Sequence, residues 1–182
     1  MQATSWAGMP DEALVRAAQG GGEHAFDQLM ARHRGAMVAL AYRIVGDRDQ
    51  AEDLVQEAAC LAYRKLAGFR RQAAFKTWLT RITINVCLKA RRQSRWRRWE
   101  PLPEWEESPE QAEQQAVNRL VVAQAMASLP ARDRVLLLLR EQQGLEYQEI
   151  ALIMGWTRAR VGTAIHRARK RLGRLLGADE GV

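Results

Sequence analysis

Apolar residues recur at helical spacing along most of the chain, and one stretch resists any helix: Pro101, Pro103 and Pro109 fall within nine residues of one another. Proline cannot donate a backbone hydrogen bond and biases the residue before it away from helix, so such a cluster separates folding units. The period-two alternation of a half-buried strand is found nowhere over a useful length. Ala, Leu, Arg, Glu and Gln, all good helix formers, dominate the composition. With 182 residues, 47% of them hydrophobic, the chain is long enough for two small domains with cores of their own. The expected fold is all-α: helical domains over 1–99 and 117–182, joined by a flexible acidic linker over 100–116.

Turn and cap residues divide the first domain. Pro10-Asp11-Glu12 opens a short helix carrying Leu14, Val15 and Ala18, which Gly20-Gly21-Gly22 ends. A longer helix is predicted from Glu23 to Val45, stopped by Gly46. Asp47, with Gln50 three residues on, forms a capping-box signature for a helix reaching Leu66. Gly68 to Ala74 reads as a loop, and Phe75 to Trp99 as a further helix. In the second domain helices are expected over Gln111–Ser128, Pro130–Gln143, Tyr147–Met154 and Thr157–Leu176.

Charge is segregated along the chain. The formal net charge is +7, yet residues 1–57 carry nine acidic and five basic side chains. From Ala58 to Trp99 there are twelve basic residues and none acidic; residues 100–116 hold six Glu and nothing basic. Residues 132–176 return to ten basic against four acidic. Two basic blocks split by an acidic spacer suggest two contacts with a polyanion, and Trp78, Trp96 and Trp99 interleave the first block.

The second block has the form of a helix-turn-helix. Tyr147, Ile150, Ala151 and Met154 make the apolar stripe of a two-turn helix, Gly155 supplies the turn, and Thr157 can cap the next helix. There Val161, Ile165, Ala168, Leu172 and Leu175 share one face, while Ala159, Thr163, His166, Arg167, Lys170 and Arg174 lie opposite. A short helix, a tight turn and a second helix with a basic outer face is the arrangement of a major-groove reader.

Several segments together resemble RNA polymerase sigma factors. Ala127-Ser-Leu-Pro-Ala-Arg-Asp-Arg-Val, Gly144-Leu-Glu-Tyr-Gln-Glu-Ile-Ala and His166-Arg-Ala-Arg-Lys-Arg-Leu are similar to region four of that family. Ala25-Phe26 with His33-Arg34, Gly46-Asp-Arg-Asp-Gln-Ala-Glu-Asp-Leu-Val-Gln-Glu and Phe75-Lys-Thr-Trp-Leu-Thr-Arg-Ile are similar to region two. Two regions with only a short linker resemble the extracytoplasmic-function group. The likeness spans about residues 11–176 and is most specific in the Glu52–Glu57 and Phe75–Leu79 blocks, in that order.

On a helical wheel Asp49, Glu52, Asp53 and Gln56 share one outer surface, with Glu57 at its edge. An acidic face suits a basic protein partner, and the resemblance implies the β′ clamp helices of core RNA polymerase; it also implies a β flap contact for region four. By the same likeness the basic block handles promoter DNA near the start site. Phe69 and Asn85 match a pocket for an unstacked base there, although Phe69 reads equally well as a loop anchor. Lys76 and Arg81 are candidate phosphate contacts, and Arg91, Arg92, Arg95, Arg97 and Arg98 extend the positive surface, where counterion release makes binding salt-dependent. Trp78 reads as core. The linker reads as a tether, or, by resemblance, as a segment threading the polymerase channels.

Arg158, Arg160, Thr163, His166, Arg167 and Lys170 are the candidates for reading the minus-thirty-five element. Where many relatives carry a Lys-Ser-Arg-like triplet, this chain has Gly162-Thr163-Ala164. Gly162 either allows close approach to DNA or is simply tolerated. No nucleophile–base arrangement, metal spacing or phosphate loop is visible, so neither enzyme nor cofactor is expected; His24, His33 and His166 are scattered. No apolar run is long enough to span a membrane. The two cysteines, Cys60 and Cys87, fit a reducing cytoplasm better than a disulfide framework. A monomer when free, held by an anti-sigma factor, is what the resemblance implies. A stand-alone operator-binding dimer would account for the C-terminal domain but not for the acidic helix and basic block before it.

Overall fold

The computed structural model describes residues 6–70, 73–93 and 120–177, which fall in two compact units divided after Gln93. No strand occurs among the described residues. The expected linker over 100–116, the start of the helix expected from Gln111, and Arg95, Trp96, Arg97, Arg98 and Trp99 lie outside them.

The first unit comprises α1 (Asp11–Gln19), α2 (Glu23–Val45), α3 (Arg48–Lys65) and α4 (Phe75–Gln93), with a 3-10 turn at Leu66–Gly68. α2, α3 and α4 pack against one another, and α1 lies on α2. Their shared core is built from Leu29, Met37, Leu40 and Ile44 of α2, Leu54, Val55 and Ala58 of α3, and Leu79, Ile84 and Cys87 of α4. Two residues make the α2–α3 corner tight. Gly46, at φ 81°, takes the left-handed conformation that ends α2 and donates to Tyr42 O at 2.7 Å. Asp47 then caps α3, its Oδ1 accepting from the Gln50 N–H at 2.8 Å, which is the forward bond of the expected capping box.

α1 is fastened at both ends. Asp11 accepts from Arg32 at 2.5 Å and meets His33 Nε2 at 2.6 Å, both on α2. At the other end Gln19 Nε2 donates to the carbonyls of Leu66 and Phe69, each at 2.9 Å. Burial raises the Asp11 pKa, but the bonds from His33 and Arg32 outweigh it and hold the carboxyl below its ordinary value.

The second unit comprises a helix over 120–128 (α5), α6 (Ala131–Leu137) continuing through one π turn (Leu138–Gln142), α7 (Tyr147–Met154) and α8 (Arg158–Leu175). Its core draws on Val135, Leu136 and Leu139, Ile150 and Ile153, and Val161, Ile165 and Ala168. Arg134 is buried among them at 1% exposure, a position that needs full compensation for a charge. The compensation comes from the carbonyls that end α5: Nε donates to Met126 O at 2.8 Å, and Nη2 to Ala127 O and to Leu129 O. A cation thus serves as the C-cap of one helix while belonging to the next.

Candidate functional site

Three surfaces carry the functional candidates, and the first is the outer face of α3. Ala51, Leu54, Val55, Ala58 and Ala62 point into the core, which turns Asp49, Asp53, Gln56 and Glu57 out to solvent together. Glu52 shares that surface but is half-buried and lies 3.3 Å from Arg34 and 3.6 Å from Arg48. Its charge is partly answered inside the unit, so the outward potential comes mainly from the other three carboxylates. One turn further on, a groove lined by Phe26, Asp27, Gln56, Cys60 and Tyr63 opens beside this face. Tyr63, half exposed with its ring edge-on to Phe26 at 5.1 Å, is a member of this surface that sequence reasoning missed. Its place seven residues after Gln56 was the available signal.

The second surface lies on α4 and the loop before it. Trp78, Arg81, Asn85, Lys89 and Arg92 fall along one solvent-facing stripe, at intervals of three or four residues. Lys89 was not anticipated. Lys76 is exposed too, but on the opposite side of the helix. Two expectations change here. Phe69 is only 8% exposed, its ring 4.7 Å from Trp78 and 6.2 Å from Phe75, so it anchors the loop rather than offering an open wall. Trp78, read as core, is only half-buried and stands at the head of the stripe. Arg91 also turns inward: Nη1 donates to Ile44 O at 3.0 Å, placing a cation at the carbonyl end of α2. Burial there disfavours the charged guanidinium and lowers its pKa.

The third surface is the helix-turn-helix. Gly155, at φ 67°, ends α7 in the left-handed conformation, and the Trp156 N–H donates back to Ala151 O at 3.0 Å. Thr157 caps α8, its Oγ1 accepting from the Arg160 N–H at 3.3 Å. Val161, Ile165 and Ala168 are buried, and Ala159, Arg160, Thr163, His166, Arg167, Lys170 and Arg174 lie exposed on the opposite side. Leu175, expected to face inward, is 45% exposed because the core of the unit ends before the last turn of α8. Arg158 is exposed at the first helical position but lies off the stripe. A Cβ at Gly162 would face the Tyr147 ring, across the α7–α8 contact. Arg169 is paired with Glu141 at 2.6 Å and Arg171 with Asp133, so part of their charge is answered inside the unit.

Among the described residues no cluster of His, Cys, Asp and Glu could hold a metal, and no helix is long and apolar enough to cross a membrane. The family description Sigma-70 region 2 matches residues 29–97, and Sigma-70, region 4 matches residues 119–172. The chain is 36% identical to the RNA polymerase sigma-H factor of Pseudomonas aeruginosa, over 91% of this chain and 93% of that one. It is 33% identical to the ECF RNA polymerase sigma-E factor of Escherichia coli, over 89% and 92% of the two chains. Among solved structures, CnrH in complex with the cytosolic domain of CnrY is similar at a TM-score of 0.69 and 27% identity, covering 93% of this chain and 99% of that one. The sigma factor RpoE of Bartonella quintana, solved with the anti-sigma factor NepR, is similar at a TM-score of 0.66 and 25% identity, covering 85% and 98%. The chain belongs to the ECF RNA polymerase sigma factors. It is a DNA-binding factor of transcription initiation.

Proposed function

We propose a division of labour among the three surfaces. The first domain, residues 1–99, holds core RNA polymerase through Asp49, Asp53, Gln56 and Glu57, with Glu52 in support, and engages the minus-ten element through the α4 stripe. The second, residues 117–182, reads the minus-thirty-five element through α8 and meets the β flap, and the acidic stretch 100–116 connects them. The observation that carries this reading is the juxtaposition within one small unit of an acidic α3 face and a basic, Trp-headed α4 stripe. One polyanion cannot satisfy both faces, whereas a basic protein surface and promoter DNA can.

On α4, Asn85 can hydrogen-bond an exposed base edge, Trp78 can stack on one, and Arg81, Lys89 and Arg92 can hold the backbone. Phe69 acts at one remove, by fixing the loop and the Trp78 ring. Arg91 and Lys76 contribute less to this surface than their charge suggests, one being turned inward and the other facing away. The factor works without catalysis of its own, in the cytoplasm, as a monomer when free. The relative solved with NepR supports regulation by an anti-sigma factor here too.

Asp53→Ala and Gln56→Ala should each weaken binding to core polymerase while leaving intrinsic DNA affinity intact, measured separately by pull-down on core enzyme and by fluorescence anisotropy on promoter DNA. A loss of DNA affinity with core binding unchanged would reverse the assignment.

A further inference from the structure

We propose that Trp156 is a specificity-determining positioning residue: it holds the Arg160 guanidinium in place to read promoter bases, on a helix face that offers no basic side chain at Ala164. The inference rests on the assignment of α8 to the upstream promoter element.

At 162–164 the longest side chain is a threonine, and Gly162 is turned to Tyr147. Within the first two turns of α8 the basic residues are Arg158 and Arg160, and only Arg160 shares the stripe with Thr163 and Arg167, three and seven residues on. Arg160 is held twice. Its backbone N–H is bound by the Thr157 cap, and its guanidinium lies over the Trp156 ring, 4.3 Å from the centroid. Trp156 is itself fixed, half-buried directly after the left-handed Gly155 and bonded to Ala151 O. The pair lines a groove together with Asp133, Thr163, Ala164, Arg167 and Arg171, in which the short side chain of Ala164 fills less space than a long basic one would. Arg171 within that groove is committed to Asp133. A long, flexible arginine stacked on a rigid ring arrives at the base edge with less freedom left to lose, and, held in one geometry, it favours the base whose edge matches that geometry.

The test uses holoenzyme reconstituted with the full-length chain and a promoter library randomised at the upstream element. Trp156→Leu removes the aromatic face but keeps an apolar side chain; Trp156→Phe restores a ring. Arg160→Ala should flatten base preference at one or two positions by about tenfold. Trp156→Leu should flatten the same positions by several-fold, Trp156→Phe should recover most of that, and the double variant should be no worse than Arg160→Ala alone. Melting of each variant by circular dichroism keeps a folding defect apart from a reading defect. Losses that are uniform over all sequences, or that add in the double variant, would overturn the proposal. If Arg160→Ala leaves preference untouched while Arg167→Ala alters it, the proposal fails and the assignment of α8 stands. If no α8 substitution alters preference there, both fall.

Discussion

Replacing Gly162 by alanine should make the second unit more stable without altering what it binds. Glycine in a helix interior is less favourable than alanine by about 0.8–1.0 kcal/mol, because the unfolded chain has more freedom to lose. The structure decides whether that gain can be realised. A Cβ built at Gly162 lies 3.5 Å from Tyr147 Cε2 and 3.7 Å from Cδ2, which is ordinary van der Waals contact and brings no overlap. The expected gain is therefore close to the full propensity difference, about 1 kcal/mol, or roughly 4–8 °C in the melting of a domain of this size. Calorimetry on the full-length chain would show it in the transition of the second unit, and slower hydrogen exchange along α8 would locate it. Because the position faces Tyr147, promoter binding by the holoenzyme should be unchanged. A destabilised Gly162→Ala variant would refute the packing argument, and a stable variant with altered promoter preference would put Gly162 at the DNA after all.

Arg134→Ala should destabilise the second unit by about 3 kcal/mol or more, since it opens a cavity and strands the carbonyls that end α5; urea unfolding checks this, and a loss under about 1 kcal/mol would deny Arg134 its capping role. The Asp11 carboxyl, held below its ordinary value of 3.8, adds stability that is complete above that value and lost as pH falls through the folded-state value. Asp11→Asn should therefore flatten the acid limb of the stability profile of the first unit, and an unchanged limb would count against the α1 clasp. Burial pushes the Cys87 thiol up to about 12, whereas Cys60 is exposed. Iodoacetamide at mildly alkaline pH should label Cys60 in the native chain and Cys87 only on unfolding, as peptide mass spectrometry would reveal; rapid native labelling of Cys87 would contradict its placement.

Helix positions were legible because each boundary is local chemistry. Gly46, Asp47, Gly155 and Thr157 act on their own neighbours, and the structure starts or stops a helix at each of them. The faces of α3 and α8 were legible for a related reason: a wheel needs only the 3.6-residue period. What sequence could not supply was the partner of a given side chain. Arg91 and Arg92 are adjacent and identical in type, yet one reaches the end of α2 and the other faces solvent. Arg134 reads as one more positive charge until the end of α5 is placed beside it. Phe69 is buried while Trp78 is half exposed because their rings meet at 4.7 Å, in a loop whose Phe69 carbonyl is bonded by Gln19, some fifty residues away in the chain.

The Gln19 contacts have a practical consequence for anyone building hybrid factors by exchanging modules. The matched region 2 segment begins at residue 29, and a splice made there would look conservative, since every candidate polymerase and promoter contact lies downstream of it. It would nevertheless replace α1, and with it both the Asp11 clasp on α2 and the Gln19 amide that ties down the carbonyls of Leu66 and Phe69. The transplanted module would carry the α4 stripe proposed to face the promoter behind a loop cut loose from its mooring. A junction placed ahead of Asp11 keeps the tie and the loop in the same piece.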